Sequence, residues 1–291
     1  MTKKILITGK NSYVGNQLAE WLNKEPDEYE VVKESIRNDK WKELNFSDFD
    51  VIVHVAGLVH RKESTESEKI FYEINKKLTM NIAKKAYEQG VTQFIFLSTI
   101  SVYGLSGSLK SKIIIDKQTP YLPTTFYGKS KLAAEKELEK MNNKQFKIAI
   151  IRPPMIYGKD APGNFKKLQN LVLKMPIFPL INNQRSMIFV DNLSEFIKLL
   201  IDNNDRGLFF PQNREYVNTT TLVKRIALEN SKKIRFSKLM SKFIYKFGEN
   251  RSVFIKLFGN LVIDRNLSNY NNFDYSKIEF EKSIMLSKKN N

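Results

Sequence analysis

Tyr127 and Lys131 stand four residues apart at the head of a run of helix formers, GKSKLAAEKELEKM, over 128–141. On a helix, residues i and i+4 share a face, so the phenol and the ammonium would reach the same side. A free tyrosine titrates near about 10, too high for proton exchange near neutrality. A neighbouring ammonium favours the phenolate and lowers that value, which makes the oxygen usable as a general acid or base. Upstream, Ser98-Thr99 follows the apolar run Phe94-Ile95-Phe96-Leu97, which reads as a buried strand. The Thr99 hydroxyl would then emerge at the strand's carboxyl end, where open α/β sheets place their ligands. Tyr and Lys at this spacing carry little weight alone in a chain with 48 Lys and Arg. They gain it from a glycine-bearing first loop and a strand ending in Ser-Thr, in that order.

The elements that must position these residues read as alternating strands and helices. Lys4–Thr8 is a short apolar strand entering the loop Gly9-Lys10-Asn11-Ser12-Tyr13-Val14-Gly15, and 16–22 continues as helix. Strand, glycine turn and helix form the context of a dinucleotide fingerprint. Gly9 supplies the tight turn, Gly15 allows close packing, and the helix N-terminus faces a pyrophosphate. Ser12, Tyr13 and Val14 complete the loop, and the Ser12 side chain must turn away from the phosphates. The segment 30–36 reads as a second strand, followed by Arg37-Asn38. Arg37 suits a ribose 2′-phosphate, with Asp39 as the acidic alternative, so NADPH is favoured over NAD or NADH. The next strand, 50–55, begins about a dozen residues later, too soon for a further strand-and-helix crossover (about 10–12 residues without the strand). It ends in Val55-Ala56-Gly57, small residues suited to backbone lying against a cofactor. His54 reads as buried structure, whereas His60 is loop-borne and within reach of a substrate. A chain leaving strand 146–151 through Pro153-Pro154 must quit the ladder.

Bulk properties narrow the class. A chain of 291 residues with 42% hydrophobic and 27% charged content holds a large α/β domain and a smaller one. No apolar run approaches a membrane span, nor is there room for a signal peptide before the strand at Ile5. The absence of cysteine agrees with a reducing cytoplasm. Two histidines make a histidine metal centre improbable, and no metal is expected. The net charge of +17 lacks any nucleic-acid recognition motif. A phosphate-bearing substrate or cofactor, or an anionic membrane face, would use the same field.

At Gly9–Gly15, STISVYG (98–104) and YGKSK (127–131), the chain resembles the extended short-chain dehydrogenase/reductase family, in particular its nucleotide-sugar epimerases, dehydratases and reductases. The resemblance covers roughly residues 3–215. It implies a Rossmann-type doubly wound parallel sheet with a smaller, mainly helical substrate domain. The implied division is 1–158 plus about 184–212 for NAD(P), and 159–183 plus 213–291 for substrate. It makes Tyr127 the acid/base, Lys131 its tuner and a ribose ligand, and Thr99 the hydroxyl on the sugar oxygen. Asn75 would brace the active-site backbone and Pro154 line the nicotinamide. Asn164 and Arg185 would meet a nucleotide diphosphate, with Arg251 as a second phosphate arginine. Relatives pair as dimers through helices equivalent to 76–87 and 128–141, so a homodimer is expected.

Dehydratases of this family place an acid pair directly after the Ser/Thr position. Ile100 and Ser101 stand there instead, which argues against dehydration. The segments PPMIYGKDAPGNFKKL, FPLINNQRSMIFV and VFIKLFGNLVI resemble bacterial capsule- and surface-polysaccharide enzymes. That resemblance implies reduction of UDP-2-acetamido-2,6-dideoxy-4-hexulose to UDP-N-acetylfucosamine, with Arg37 and the trimmed adenine segment tilting toward a reductase. Alternatives are a 4-epimerase of UDP-glucose, UDP-N-acetylglucosamine or a lipid-diphosphate-linked sugar, and a non-catalytic sugar-nucleotide sensor. The stretch 239–261 interleaves Phe243, Phe247 and Phe254 with Lys242, Lys246 and Lys256. It reads as helices closing the substrate domain, or as a basic amphipathic surface for peripheral membrane contact.

Overall fold

The computed structural model describes residues 2–37, 39–59, 61 and 63–288. In chain order the first elements are β1 (Lys3–Thr8), α1 (Tyr13–Leu22), β2 (Tyr29–Glu34), β3 (Val51–His54), α2 (Thr65–Tyr72), α3 (Thr79–Glu88) and β4 (Gln93–Leu97). Next come β5 (Ile113–Ile115), α4 (Phe126–Met141), β6 (Lys147–Ile151), β7 (Met155–Tyr157), α5 (Asn164–Lys174), β8 (Ile177–Pro179) and β9 (Met187–Phe189). The chain then runs through α6 (Val190–Asp202), β10 (Gly207–Phe209), α7 (Thr219–Glu229), β11 (Arg235–Ser237), α8 (Lys238–Phe247), α9 (Ser252–Phe258) and β12 (Leu261–Ile263). Two short helices, α10 (Arg265–Ser268) and α11 (Phe280–Leu286), follow.

Two units divide these elements. The first comprises Met1–Gly104, Pro120–Pro153 and Leu193–Pro211; the second comprises Leu105–Thr119, Pro154–Asn192 and Gln212–Asn291.

A six-stranded sheet in the order β10-β6-β4-β3-β1-β2, parallel throughout, organises the first unit. Its central strands β1, β3, β4 and β6 are largely buried and apolar on both faces, as a sheet covered by helices on both sides requires. Leu6, Ile52, Phe94, Phe96 and Ile148 pack against Ile82 and Ala83 of α3 and Ala134 and Leu138 of α4, all nearly inaccessible. The chain passes from β1 to β2 on one side and then crosses to β3 on the other. This is the expected doubly wound sheet, and its strand order reverses between β1 and β3. Ligands of such sheets bind at that reversal, beyond the carboxyl ends of the strands.

The trimmed segment after β2 holds two one-turn helices, Asp39–Lys42 and Phe46–Asp48. Trp41 and Phe46 bury themselves in the same core as Ile52 and Ile82, covering the sheet where a crossover helix would otherwise lie. β2 stops at Glu34 rather than continuing to Ile36. Gly9 and Lys10 donate their amides to the Glu34 carbonyl (2.8 and 3.1 Å), and Ile36 turns into the core.

The second unit combines helices with three parallel two-stranded pairs, β5 with β12, β7 with β9, and β8 with β11. The boundaries implied at the sequence level therefore move. Residues 105–119, placed above in the dinucleotide domain, join the second unit. There β5 pairs β12, Ser108 exchanges backbone hydrogen bonds with Asn260 (3.3 and 2.7 Å), and Glu249 accepts from the Ser108 hydroxyl and the Leu109 amide (2.7 and 2.9 Å). Residues 154–158 and 184–192, also placed above in the dinucleotide domain, belong there too: the chain divides after Pro153, and β7 pairs β9.

Candidate active site

The first loop has the shape of a phosphate cradle. Gly9 has φ +111°, and a Cβ there would stand 3.2–3.3 Å from Ala56, so only glycine allows the turn to lie so close to the end of β3. Ser12 caps α1, its hydroxyl accepting from the Gly15 amide at 2.9 Å; its side chain thus turns toward the helix. Gly15 packs flush on Val55 and Ile7, where a Cβ would meet both at 3.0–3.2 Å. Tyr13 and Val14 form the first residues of α1. A bare backbone turn, a helix N-terminus and the sheet reversal coincide here. These residues fit a dinucleotide pyrophosphate.

Glu34 is the residue that sequence reasoning missed. It ends β2, the position from which an acidic side chain holds a ribose 2′-hydroxyl. Among the described residues, its carboxylate accepts from the neighbouring Ser35 amide at 3.3 Å. Arg37 lies three residues further on and is exposed.

Behind the loop, polar side chains tie the elements together. His54 is buried between Thr8 (Nδ1 to Oγ1, 2.7 Å) and Thr79 (Nε2 to Oγ1, 3.0 Å). Burial, reinforced by the charge of Lys131, pushes its pKa down to about 3, so it is neutral structure, as expected. A wide π-helical turn, Glu73–Leu78, joins α2 to α3 and carries Asn75 inward. The Asn75 amide donates to the Leu58 carbonyl (3.0 Å) and Ser130 hydroxyl (3.1 Å), while its oxygen accepts from the Leu58 amide (2.7 Å). It fixes the backbone after Gly57, and Ser130 passes the link to the Tyr127 carbonyl at 3.0 Å. His60 lies outside the described residues.

Thr125 caps α4 by accepting from the Gly128 amide at 3.1 Å, so the helix opens at Phe126 and Tyr127 sits in its first turn. Gly128 lets α4 touch the turn after Thr99, where a Cβ would stand 2.5 Å from the Ser101 carbonyl oxygen. Gly128→Ala is expected to cost about 1–3 kcal/mol of stability by overpacking and to lower turnover by displacing Tyr127. A denaturation midpoint matching the wild type would contradict this.

Thr99 leaves β4 in an extended conformation, and its hydroxyl accepts from the Ser101 amide at 3.1 Å. Burial drives the Tyr127 phenol up to about 12; nearby Thr99 works against that rise and the Glu135 charge adds to it. The Lys131 ammonium, 2% exposed, donates to the Leu97 carbonyl at 2.8 Å and stands 4.3 Å from the Phe96 ring centre. Burial brings Lys131 down to about 7, against the opposing charge of Glu135. The phenol therefore lies above its ordinary value rather than below it. Thr99 is the side chain that lowers the phenol, and the lysine's own charge is disfavoured by burial and committed to the end of β4.

That burial has a testable consequence. An unfolded lysine titrates near about 10.4, above the folded value for Lys131. Between the two, the unfolded chain binds more protons, so stability rises with pH across this window. Relative to Lys131→Met, the wild type should gain stability between about pH 7 and about pH 10 in denaturant titrations. Parallel pH profiles for the two proteins would overturn the assignment.

One turn beyond Lys131, Glu135 forms a buried network. Its carboxylate takes Arg152 Nη2 at 2.5 Å and Nε at 3.1 and 3.2 Å, and accepts from the Ser98 hydroxyl. Arg152 also donates to the Tyr103 hydroxyl at 2.9 Å and lies 4.3 Å from the Tyr121 ring centre. Burial works against the guanidinium charge, but Glu135 more than offsets it and holds the Arg152 pKa above its ordinary value. Tyr127, Lys131 and Glu135 thus stand at i, i+4 and i+8 on α4.

Pro154, Asn164, Arg185 and Arg251 belong to the second unit. Pro154 precedes β7, and exposed Asn164 opens α5 after Gly163. Arg185 donates to the Lys256 carbonyl of α9 at 2.5 Å, and burial lowers its pKa to about 10. Exposed Arg251 directly precedes α9.

The model of the NAD dependent epimerase/dehydratase family matches residues 5–210. The chain is 30% identical over 253 residues to UDP-glucose 4-epimerase of Vibrio cholerae, covering 78% of this chain and 76% of that one. It is 27% identical over 253 residues to N-acetyl-alpha-D-glucosaminyl-diphospho-ditrans,octacis-undecaprenol 4-epimerase of Escherichia coli O157:H7, covering 80% and 74%. Among solved structures, UDP-glucuronic acid 4-epimerase from Bacillus cereus in complex with NAD aligns over 98% of this chain and 95% of its own. The TM-score is 0.74 at 17% identity, a likeness of fold.

Proposed function

Because the chain belongs to the NAD-dependent epimerase/dehydratase family, we propose that this NAD(P)-dependent enzyme inverts C4 of a diphosphate-linked sugar, with UDP-glucose or UDP-N-acetylglucosamine as first candidates. The observation that carries the reading is that Tyr127 shares a face of α4 with buried Lys131, whose ammonium is held on the Leu97 carbonyl at the carboxyl end of β4, two residues before Thr99. Gly9–Gly15 and Glu34 would hold a nicotinamide dinucleotide, which would supply the hydride acceptor and donor. Tyr127 takes the proton of the C4 hydroxyl as that carbon is oxidised, and returns one as it is reduced. Thr99 holds the same oxygen in line. A phenol at about 12 is already a neutral acid near pH 7; to act as a base it draws on positive charge nearby, of which Lys131 is the built-in source.

Glu34 at the strand end supports NAD, and a cofactor that is regenerated within each turnover suits epimerisation. Exposed Arg37 supports the second reading, reduction of UDP-2-acetamido-2,6-dideoxy-4-hexulose to UDP-N-acetylfucosamine with NADPH. Incubating the protein with NAD and UDP-N-acetylglucosamine or UDP-glucose should produce the 4-epimer without net consumption of cofactor. Consumption of NADPH only with a 4-keto sugar nucleotide, and no epimer from either UDP-sugar, would replace the first reading with the second.

We assign the chain to the cytoplasm and to a homodimer. Among the described residues, no helix is long and apolar enough to cross a membrane. A groove of about 890 Å³ between α3 and α4, where Met80, Tyr87 and Met141 lie among lysines and glutamates of both signs such as Lys84 and Glu137, supports the pairing of two copies. Light scattering that gives a monomer mass at micromolar concentration would remove the dimer.

A further inference from the structure

Helix α8 carries two ridges at helical spacing that nothing in the site uses. Leu239, Phe243 and Phe247 recur every fourth residue and are 78%, 58% and 50% exposed. Lys238, Lys242 and Lys246 form the adjacent ridge and are exposed as well. The Phe243 and Phe247 rings lie 5.0 Å apart, so the apolar ridge is continuous. The next helix extends both characters with Val253, 63% exposed, and exposed Lys256. Across 238–256 the only acid is Glu249, and its carboxylate is turned onto Ser108 and Leu109. Ser241 and Ile244 anchor the opposite face of α8 in the second unit.

Large apolar side chains left in water beside a row of cations need an occupant that is apolar within and negative at its rim. A second copy of this face would oppose lysine to lysine. We propose that α8 and the start of α9 form a docking surface for an anionic phospholipid membrane. Phe243 and Phe247 enter the acyl boundary while the lysine ridge meets the headgroups. The surface shares no residue with the Tyr127 site and stands whatever sugar that site takes. If the sugar is carried on a lipid diphosphate, the surface brings the enzyme to it.

The test is co-sedimentation of the full chain with vesicles of phosphatidylcholine alone or mixed with phosphatidylglycerol. The protein should sediment with the anionic vesicles, not with phosphatidylcholine alone, and be released by salt. F243S/F247S and K242E/K246E should each reduce the bound fraction about tenfold or more. Both variants should keep the wild-type thermal midpoint and turnover of soluble UDP-sugar. No binding to anionic vesicles at low salt, or undiminished binding by both variants, would overturn the proposal. So would a wild-type dimer that F243S/F247S converts to monomer, because the face would then be a protein contact.

Discussion

Replacing Tyr127 with phenylalanine is expected to lower turnover by roughly 10²–10⁴-fold, the usual range for a lost general acid–base. The ring remains, so packing at the start of α4 and dinucleotide binding at the glycine loop should survive. The change removes one oxygen, that of the phenol. Steady-state rates and dinucleotide titration, run on the same preparation, separate chemistry from binding. Turnover within a factor of a few of wild type would take Tyr127 out of the reaction. Loss of binding together with turnover would instead point to a collapsed site.

The second large effect is structural. Glu135→Ala leaves the Arg152 guanidinium, 1% exposed, without its carboxylate partner. Removing one member of a buried ion pair typically costs about 3–5 kcal/mol, because the remaining charge stays desolvated. That is a large part of the roughly 5–15 kcal/mol that holds a domain folded. The same change removes the negative charge that holds Lys131 up, so Lys131 should lose its proton at lower pH. Denaturant unfolding measures the first effect, and a loss below about 1 kcal/mol would show that solvent or a neighbour takes over the role of Glu135.

The parts of the site that could be read from sequence are those whose geometry is local. Tyr127 and Lys131 share a helix face by spacing alone, and Thr99 is placed by the apolar run before it. Ser12 had to turn from the phosphates, and it does so by capping α1. Glu135 was equally visible, four residues after Lys131, but an acid in a lysine-rich helix looks solvated until Arg152, just past the end of β6, meets it. The signal available was an arginine directly following a buried strand and preceding two prolines. Glu34 was hidden because Val32, Glu34 and Ile36 alternate like one strand, and only the fold of the glycine loop onto the Glu34 carbonyl ends it there. The unit boundary at 104/105 depends on β5 finding β12 far along the chain, and no local pattern announces that pairing. The direction of the Tyr127 shift was misjudged for a related reason. One favourable neighbour was counted, whereas the protein around both groups has the larger effect.

Proton transfer at Tyr127 coupled to hydride transfer at a sugar carbon can be observed in a single turnover. With NAD-loaded protein and excess UDP-sugar, the near-ultraviolet absorbance of reduced nicotinamide should rise transiently in the wild type and stay flat in Tyr127→Phe. A rise at the same rate in both proteins would contradict the role of Tyr127.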